Sequence, residues 1–349
     1  METILFGLGI FLISATLLPF IPKDNWWIRG FDFPRLQIVI LSLMVMAGYL
    51  FYSPDINHTD QLLLSILAAC TLYQGYMIYP YTIIASPQVE HRNQYNDHST
   101  VSLMCSNVQM TNRNTNKLKK LIKTHDPDIL LVIETDECWL NELQEVESSY
   151  PHHIKQPQDN QYGMALYSKF ELHDSEINFW IEDDIPSIKT RITLFGQNEV
   201  ILYGLHPRPP FITGNNTSTE RDAELLIVGK KIKDIDTPVI VMGDMNDVAW
   251  SKTNNLFQKI SGLLDPRIGR GFYNTFHAQY PFVRFSLDHF FHSNHFRLVT
   301  FQRLEYIGSD HFPVYIKLSY EQDADIKQEE PESTDAEETQ AKDKIKEGT

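Results

Sequence analysis

Cysteine is scarce in this chain of 349 residues, which has only three. Cys70, Cys105 and Cys138 are too few for the disulfide framework that holds small secreted domains together, and Cys70 lies in an apolar run. The spacing of a zinc site is also missing, because no Cys/His pair has it. The cysteines therefore exclude a disulfide scaffold and leave the redox compartment open.

Basic residues are also few, since 30 Lys and Arg stand against 45 Asp and Glu and the formal net charge is −15. This balance excludes a strongly basic surface for nucleic acid. Residues 321–349 hold eleven acidic residues and four Lys, a net of −7, which leaves −8 for the rest of the chain. Because this segment is also almost free of apolar residues, it predicts a disordered acidic tail.

Long uncharged runs are confined to residues 1–90. They cover about 4–21, 36–52 and 62–84, each near the length of a helix that crosses a bilayer. A cleaved signal peptide is the alternative for the first run, but no small-residue cleavage site follows it. Aromatic residues that fit an interfacial belt lie near the ends of the runs, at Trp26, Trp27, Tyr49, Tyr52, Tyr79 and Tyr81. We predict three transmembrane helices, with the lipid bilayer as partner.

The orientation of these helices follows from basic residues. Lys23, Arg29 and Arg35 flank the first loop, whereas the second loop, 53–60, has no Lys or Arg. The positive-inside rule then places the first loop in the cytoplasm, and with it everything after the third helix.

Residues 91–100 are polar and predict a linker, and residues 101–320 alternate short apolar runs with amphipathic stretches. Two helices are predicted, at 114–124 and 218–232. Strands are predicted at 101–106, 128–133, 164–167, 188–194, 200–205, 239–242, 285–291 and 314–318. This alternation predicts one α/β domain. The chain has no internal repeat.

The strand Val239–Met242 leads into Gly243-Asp244-Met245-Asn246. Asp244 and Asn246 are two residues apart, so in extended geometry they face the same side. A carboxylate there can hold or deprotonate a water, and an amide can orient that water or donate to a phosphate oxygen. The alternative is that Asp244 only caps an Asx turn.

Other polar residues follow predicted strands. Asn107, Glu134 and His206 each end one, and each has a plain alternative as a turn residue, a solvent-facing charge or a loop histidine. Asp288 lies inside the apolar strand 285–291, where a lone carboxylate is costly and needs a partner. Asp310 and His311 enter the last strand and would point to opposite sides.

Together these residues can converge, because open α/β sheets bind ligands at strand ends. Oxygen ligands dominate the set, which favours Mg²⁺ or Mn²⁺ over zinc. The sequence therefore indicates a metal-assisted hydrolytic site.

At the level of motifs the chain resembles the endonuclease/exonuclease/phosphatase superfamily, the deoxyribonuclease-like metal phosphoesterases. The matching motifs occur in the family order over about 100–320: Ser106-Asn107-Val108, Glu134, Leu205-His206-Pro207, Gly243-Asp244-Met245-Asn246, Ser286-Leu287-Asp288-His289 and Gly308-Ser309-Asp310-His311-Phe312-Pro313. It is most similar to a bacterial branch with membrane helices ahead of the catalytic domain, which implies a bacterial cell membrane. Met245 and Phe276 depart from the usual Phe and Trp.

The resemblance implies a four-layer sandwich, two mixed β-sheets flanked by helices. It implies that Glu134, Asn107 and Asp310 bind the metal. It also implies that Asp244 activates the water and that His311, oriented by Asp288, protonates the leaving oxygen. Asn246, His206 and Arg208 would contact the substrate phosphate.

The leading hypothesis is a membrane-anchored phosphodiesterase or phosphatase acting on nucleic acid or on a phospholipid or inositol-phosphate headgroup, with no known protein partner. The alternative is a catalytically inactive, membrane-tethered binding module with the same fold. Inactive copies tend to lose the Asp-x-Asn or Asp-His residues, and both pairs are present here.

Overall fold

Three long apolar helices open the computed structural model, which describes residues 2–52, 57–92, 99–194, 198–210, 216–321, 324 and 327–349. They are α1 (Glu2–Leu17), α3 (Arg35–Tyr52) and α4 (His58–Ile78), with the short α2 (Trp26–Arg29) between the first two. Glu2–Phe20, Arg35–Tyr52 and His58–Tyr81 are each long and apolar enough to cross a membrane. The three predicted helices are thus confirmed as helices, whereas most of the predicted linker, residues 93–98, lies outside the described residues.

The three helices pack on one another through Leu5, Val45, Leu63 and Leu67, which are buried. Their outward faces remain apolar and exposed, as at Phe11, Met44, Leu50, Leu62 and Leu72. Such faces would be costly in water and suit contact with lipid.

Eleven strands follow in the described part of the chain: β1 (Thr100–Asn107), β2 (Ile129–Ile133), β3 (His152–Gln156), β4 (Met164–Ser168), β5 (Leu172–Asn178), β6 (Ser187–Leu194), β7 (Asn198–Leu205), β8 (Val239–Asp244), β9 (Asp288–His292), β10 (Phe296–Arg303) and β11 (Val314–Tyr320). They form one sheet of order β10-β11-β1-β2-β4-β3 and a second of order β5-β6-β7-β8-β9. β1 with β2 and β7 with β8 are parallel pairs, and the other pairs are antiparallel.

Five helices complete this part: α5 (Thr115–His125), α6 (Glu137–Leu143), α7 (Thr219–Lys233), α8 (Lys252–Ser261) and α9 (Asp335–Gly348). The sheets face each other across a buried apolar core that includes Leu131 and Ile240. The outer face of the first sheet packs on α5 and α6, and that of the second on α7 and α8. The predicted four-layer sandwich of two mixed sheets is therefore confirmed.

The segment 321–349 was predicted to be a disordered tail, but in the structure its residues 335–348 form α9. A capping box between Thr334 and Glu337 starts the helix. Lys344 Nζ lies 2.9 Å from Asp222 on α7, and Lys259 of α8 lies 2.6 Å from Glu337. Composition alone predicted disorder, but acidic residues of this segment form ion pairs with lysines of α7 and α8. In addition, Ala341 packs against α7 and α8.

The predicted strand 285–291 begins later than expected, so Asp288 is its first residue rather than an internal one. The residues before it bond to loops instead of a neighbouring strand. Thr275 Oγ1 accepts the N–H groups of Leu287 and Asp288, and Leu287 O accepts the N–H of Met245. Asp288 consequently stands at the edge of the sheet.

Candidate active site

The two parallel strand pairs end at the same edge of the sandwich. Asn107 ends β1 and Glu134 follows β2, while His206 follows β7 and Asp244 ends β8. Gly243 is required here, because it has φ of 150° and a Cβ added to it would lie 1.9 Å from the carbonyl oxygen of Leu205. The close approach of β7 and β8 thereby places His206 and Asp244 side by side, and a hydrogen bond from Asn107 to Asp244 joins them to the first sheet.

Asp244 is the centre of this group and is 1% exposed. Its Oδ2 lies 3.1 Å from Asn107 Nδ2, 3.5 Å from His311 Nε2 and 3.9 Å from His206 Nε2. Its Oδ1 accepts the backbone N–H of Asn246 at 2.9 Å. One oxygen of Asp244 thus closes an Asx turn, and the other lies beside Asn107, His206 and His311.

Glu134 and Asn107 lie beside Asp244. Asn107 Nδ2 donates to Glu134 Oε1 at 2.9 Å, and the Met110 N–H donates to Oε2 at 3.2 Å. Burial raises the pKa of Glu134 to about 7, although both hydrogen bonds oppose the shift, and the Asp310 carboxylate raises it further. The site thus concentrates negative charge that is poorly solvated, a place that a cation would stabilise.

Asp288 and His311 form a hydrogen-bonded pair. His311 Nδ1 lies 2.8 Å from Asp288 Oδ2, and both side chains are buried. Burial lowers the pKa of His311, but the carboxylates of Asp288 and Asp244 outweigh it and raise the pKa to about 10. The imidazole is therefore protonated near neutral pH, with Nε2 directed at Asp244.

His206 is a neutral histidine, because burial lowers its pKa to about 4. Its ring lies 5.2 Å from that of Tyr162. Arg208 does not line the cleft: its guanidinium stacks on Tyr162 at 5.5 Å and pairs with Glu182 at 2.9 Å. Arg208 thus contacts Tyr162, which lines the cleft and which no sequence motif indicated.

Asn246 is held from two sides. Its Nδ2 donates to Pro207 O at 2.9 Å, and its own carbonyl accepts from Arg221 Nη1 at 2.7 Å. Arg221 in turn pairs with Asp247 at 3.0 Å. Arg221 was not identified from the sequence, because it lies in the first turn of an ordinary helix pattern and donates to a backbone carbonyl.

Three side chains of the site sit on left-handed backbone: Gln109, Glu134 and Asn246 have φ of 55°, 63° and 51°. Non-glycine residues adopt this conformation at a cost and are often found where function fixes the side chain. The sequence carries no signal for it at Glu134, which follows four apolar strand residues.

A cleft of about 730 Å³ opens over these residues. Glu134, Asp244, Asn246, Asp310 and His311 line one end, together with His206, and we call this the polar end. The apolar side chains that line the same cleft, here called the apolar wall, are Trp26, Phe33, Phe276, Val283, Phe285 and Leu287, and the Phe276 ring lies 5.0 Å from that of His311. The sequence indicated the polar end and missed the apolar wall.

Two acidic groups could hold a metal. Asp244, Asp288 and His311 have ligand atoms within 4.8 Å of one another. The residues assigned to the metal from sequence, Glu134, Asn107 and Asp310, adjoin that group on the side of Asp244.

A family model described as "Endonuclease/Exonuclease/phosphatase family" matches residues 104–311. Among solved structures, D. rerio TDP2 complexed with single-strand DNA product is 19% identical, with a TM-score of 0.53 over 63% of this chain and 99% of that one. The endonuclease/exonuclease/phosphatase from Bacteroides vulgatus is 17% identical, with a TM-score of 0.52 over 64% of this chain and 99% of that one. A Bacteroides thetaiotaomicron family protein is 17% identical, with a TM-score of 0.51 over 64% and 96%. No curated protein matches the sequence.

Proposed function

The chain belongs to the endonuclease/exonuclease/phosphatase family, and on that premise we propose that it is a membrane-anchored, divalent-metal-dependent phosphoesterase. It would hydrolyse a phosphodiester or phosphomonoester bond. The observation that carries the proposal is the convergence on Asp244 Oδ2 of Asn107 at 3.1 Å and of His311, itself paired with Asp288, at 3.5 Å. An activating carboxylate and a protonated imidazole on one reaction centre are what hydrolysis of a phosphate ester needs.

Asp244 is assigned to the attacking water. Its Oδ2 faces the cleft, while its Oδ1 is fixed by the N–H of Asn246, so the carboxylate has one free direction in which to hold a water and take its proton. The Asn246 amide, anchored on Pro207 O, orients that water or a phosphate oxygen.

His311 is assigned to the leaving oxygen. Asp288 fixes its ring through Nδ1 and keeps it protonated, so Nε2–H can donate to the oxygen that departs or to the charged phosphorane. His206, neutral and buried, would donate from Nε2 to a non-bridging oxygen.

The polar end fits a divalent cation. Glu134 is largely buried, and its carboxylate faces an amide N–H and a backbone N–H while its pKa is raised to about 7, a cost that a bound cation would remove. The group Asp244, Asp288 and His311 fits less well, since Asp288 Oδ2 is already bonded to a protonated His311. Glu134, Asn107 and Asp310 would therefore hold Mg²⁺ or Mn²⁺. When bound, the cation would neutralise charge on the phosphoryl oxygens.

The anchor and its side of the membrane form part of the proposal. Trp250 Nε1 donates to Asp32 O in the first loop at 2.7 Å, and Tyr81, after α4, donates to Ala249 O at 2.7 Å. The sandwich thus adjoins the first loop, whose basic residues favour the cytoplasm: Lys23, Arg29 and Arg35. A cytoplasm-only fluorescent reporter fused after Thr349 should fluoresce, whereas activity of an alkaline phosphatase fused there would reverse the topology.

The full chain in detergent micelles should release p-nitrophenol from bis-p-nitrophenyl phosphate with Mg²⁺ or Mn²⁺, and a chelator should stop it. Asp244→Asn should abolish the release. Asp343→Asn, an exposed carboxylate on α9, is the matched control and should leave the rate unchanged. No turnover with either cation would favour the inactive binding module.

A further inference from the structure

The cleft joins two kinds of surface. The polar end supplies the groups assigned to phosphate chemistry, and the apolar wall lines the same cavity, where the Phe276 ring lies 5.0 Å from that of His311. Phe33 comes from the loop before α3, and its ring meets that of Phe285 edge to face at 5.4 Å. A molecule that fills both parts would carry a phosphate at one end and apolar groups at the other.

The apolar wall continues into the membrane helices. Phe276, Phe285 and Leu287 pack in one hydrophobic cluster that also contains Leu36 and Val39 of α3 and Ile78 of α4. Because Leu36, Val39 and Ile78 belong to the stretches that can cross a membrane, the wall lies where those stretches meet the sandwich. The bundle therefore forms part of the surroundings of the substrate as well as an anchor.

The edge of the wall carries exposed apolar side chains. Residues 278–283, here called the interface loop, expose Tyr280 by 59%, Phe282 by 87% and Val283 by 51%. Gln37 Nε2, in the first turn of α3, donates to the carbonyl oxygen of Phe282 at 3.1 Å. The loop thus lies beside the start of a membrane-crossing stretch, where aromatic and apolar side chains contact the boundary of a bilayer.

We propose that the substrate is a phosphate ester of a membrane lipid, which enters the cleft from the bilayer beside the interface loop. Its phosphate would reach Asp244 and His311, and its apolar part would lie on the apolar wall. This inference rests on the proposed phosphoesterase function and names the substrate class for the same site.

Charge argues against a nucleic acid in this cleft. Among the described residues, the arginines that line it are Arg29 and Arg221, and both are paired with carboxylates, Arg29 with Asp24 at 3.1 Å and Arg221 with Asp222 at 2.8 Å. Single strands bind where a positively charged groove follows the backbone. Here the aromatic side chains of the wall lead to the membrane helices instead.

The test compares esters that share a headgroup and differ in acyl chains. The full chain in mixed micelles with Mg²⁺ or Mn²⁺ is given dioleoyl phosphatidic acid or glycerol 3-phosphate. In a second pair of assays the full chain is given dioleoyl phosphatidylglycerol or its deacylated form. A short single-stranded DNA and bis-p-nitrophenyl phosphate complete the set. We expect kcat/KM for an acylated probe to exceed that of its deacylated partner by about a hundredfold, since several apolar groups leave water.

Variants of the interface loop test the route. Val283→Asp and Phe282→Asp should each lower the ratio of lipid to bis-p-nitrophenyl phosphate hydrolysis by about tenfold, as loss of one apolar contact predicts. Phe179→Asp, an exposed aromatic outside the cleft lining, is the matched control and should leave both rates unchanged. If Phe282→Asp lowers the hydrolysis of lipid and of bis-p-nitrophenyl phosphate together, Phe282→Ser is measured instead. An unchanged ratio of the two rates in Phe282→Ser overturns the inference.

The outcomes distinguish failure of the lipid-substrate inference from failure of the proposed phosphoesterase function. Faster hydrolysis of DNA or of the deacylated esters than of the lipids overturns the inference and leaves the phosphoesterase intact. Absence of hydrolysis with every probe, bis-p-nitrophenyl phosphate included, overturns both.

Discussion

The polar end and the apolar wall of the cleft are built in different ways. Within each sheet, parallel pairing places the ends of β1 and β2, or of β7 and β8, side by side, and the hydrogen bond from Asn107 to Asp244 joins the two pairs. The apolar wall depends on contacts between distant parts of the chain, such as Gln37 with Phe282, 245 positions apart, and Trp250 with Asp32, 218 apart. The polar end therefore belongs to the sandwich alone, whereas the apolar wall depends on the junction of the sandwich with the apolar helices.

Removing either member of the pair Asp288 and His311 should lower turnover by a similar factor for every substrate. Asp288→Asn keeps the shape but removes the charge, so turnover should fall by about a hundredfold or more, as positioned proton transfer contributes. His311→Ala should lower turnover by at least the same factor. The double variant should lose little more than His311→Ala alone, because both residues serve one step. A double variant that loses the product of the two single losses would show that they act independently.

The pH profile of the same pair gives a second measurement. The Asp288 and Asp244 carboxylates outweigh burial and raise the pKa of His311 to about 10. If the protonated imidazole is the active form, kcat should hold below that pH and fall as the pH rises through it. Asp288→Asn should move this alkaline limb to lower pH, because one stabilising charge is gone. A limb that stays in place would assign it to another group.

Glu134→Gln should weaken the binding of the cation, with turnover at saturation changing less. The amide keeps the volume and loses the charge, so we expect apparent Mn²⁺ affinity to fall by roughly 10- to 100-fold, the range for disturbed metal shells. Activity titrated with Mn²⁺ measures this shift, and Glu142→Gln on the surface of α6 is the control. Coincident titration curves would remove Glu134 from the ligand set.

Trp250→Phe should disturb the junction and spare the polar end. It leaves the buried carbonyl of Asp32 without the indole donor, a loss of about 1–3 kcal/mol of stability. The thermal midpoint of the full chain should fall more than in Trp180→Phe, since Trp180 Nε1 has no hydrogen-bond partner among the described residues. Equal midpoints in the two variants would show that the Trp250 bond contributes nothing.

Sequence reasoning could identify the polar residues because they lie next to apolar strand patterns and because their side-chain types indicate metal or hydrolytic chemistry. Asn107, Glu134, Asp244, Asp288 and His311 are indeed brought together. It could not fix the start of β9, since Phe285-Ser286-Leu287 has the pattern of a strand but bonds to loop residues. Nor could it show that Arg208 contacts Glu182 and Tyr162, and the assignment of Arg208 to the substrate phosphate stays a prediction.

The apolar wall escaped prediction for a different reason. Phe33, Phe276 and Val283 lie in unrelated stretches and carry no motif, so only the folded junction shows that they share a cavity. Hydropathy identified the three helices, because it measures whether a stretch is long and apolar enough to cross a membrane. It does not predict which residues pack against the end of such a helix. Composition likewise missed α9, because its charge partners are supplied by other helices.

Lys344 on α9 contacts both Asp222 and Asp24, and the latter lies 320 positions earlier in the chain, in the loop before α3. A ribosome adding about 5–20 residues per second separates the synthesis of these two residues by roughly 16 to 64 s. Early in that interval, once the chain has passed Tyr81, all three apolar helices have been synthesised, while Asp244 and His311 are still unmade. The stretches that are long and apolar enough to cross a membrane are thus made before the residues of the polar end, and the contact of Lys344 with Asp24 can form only after both.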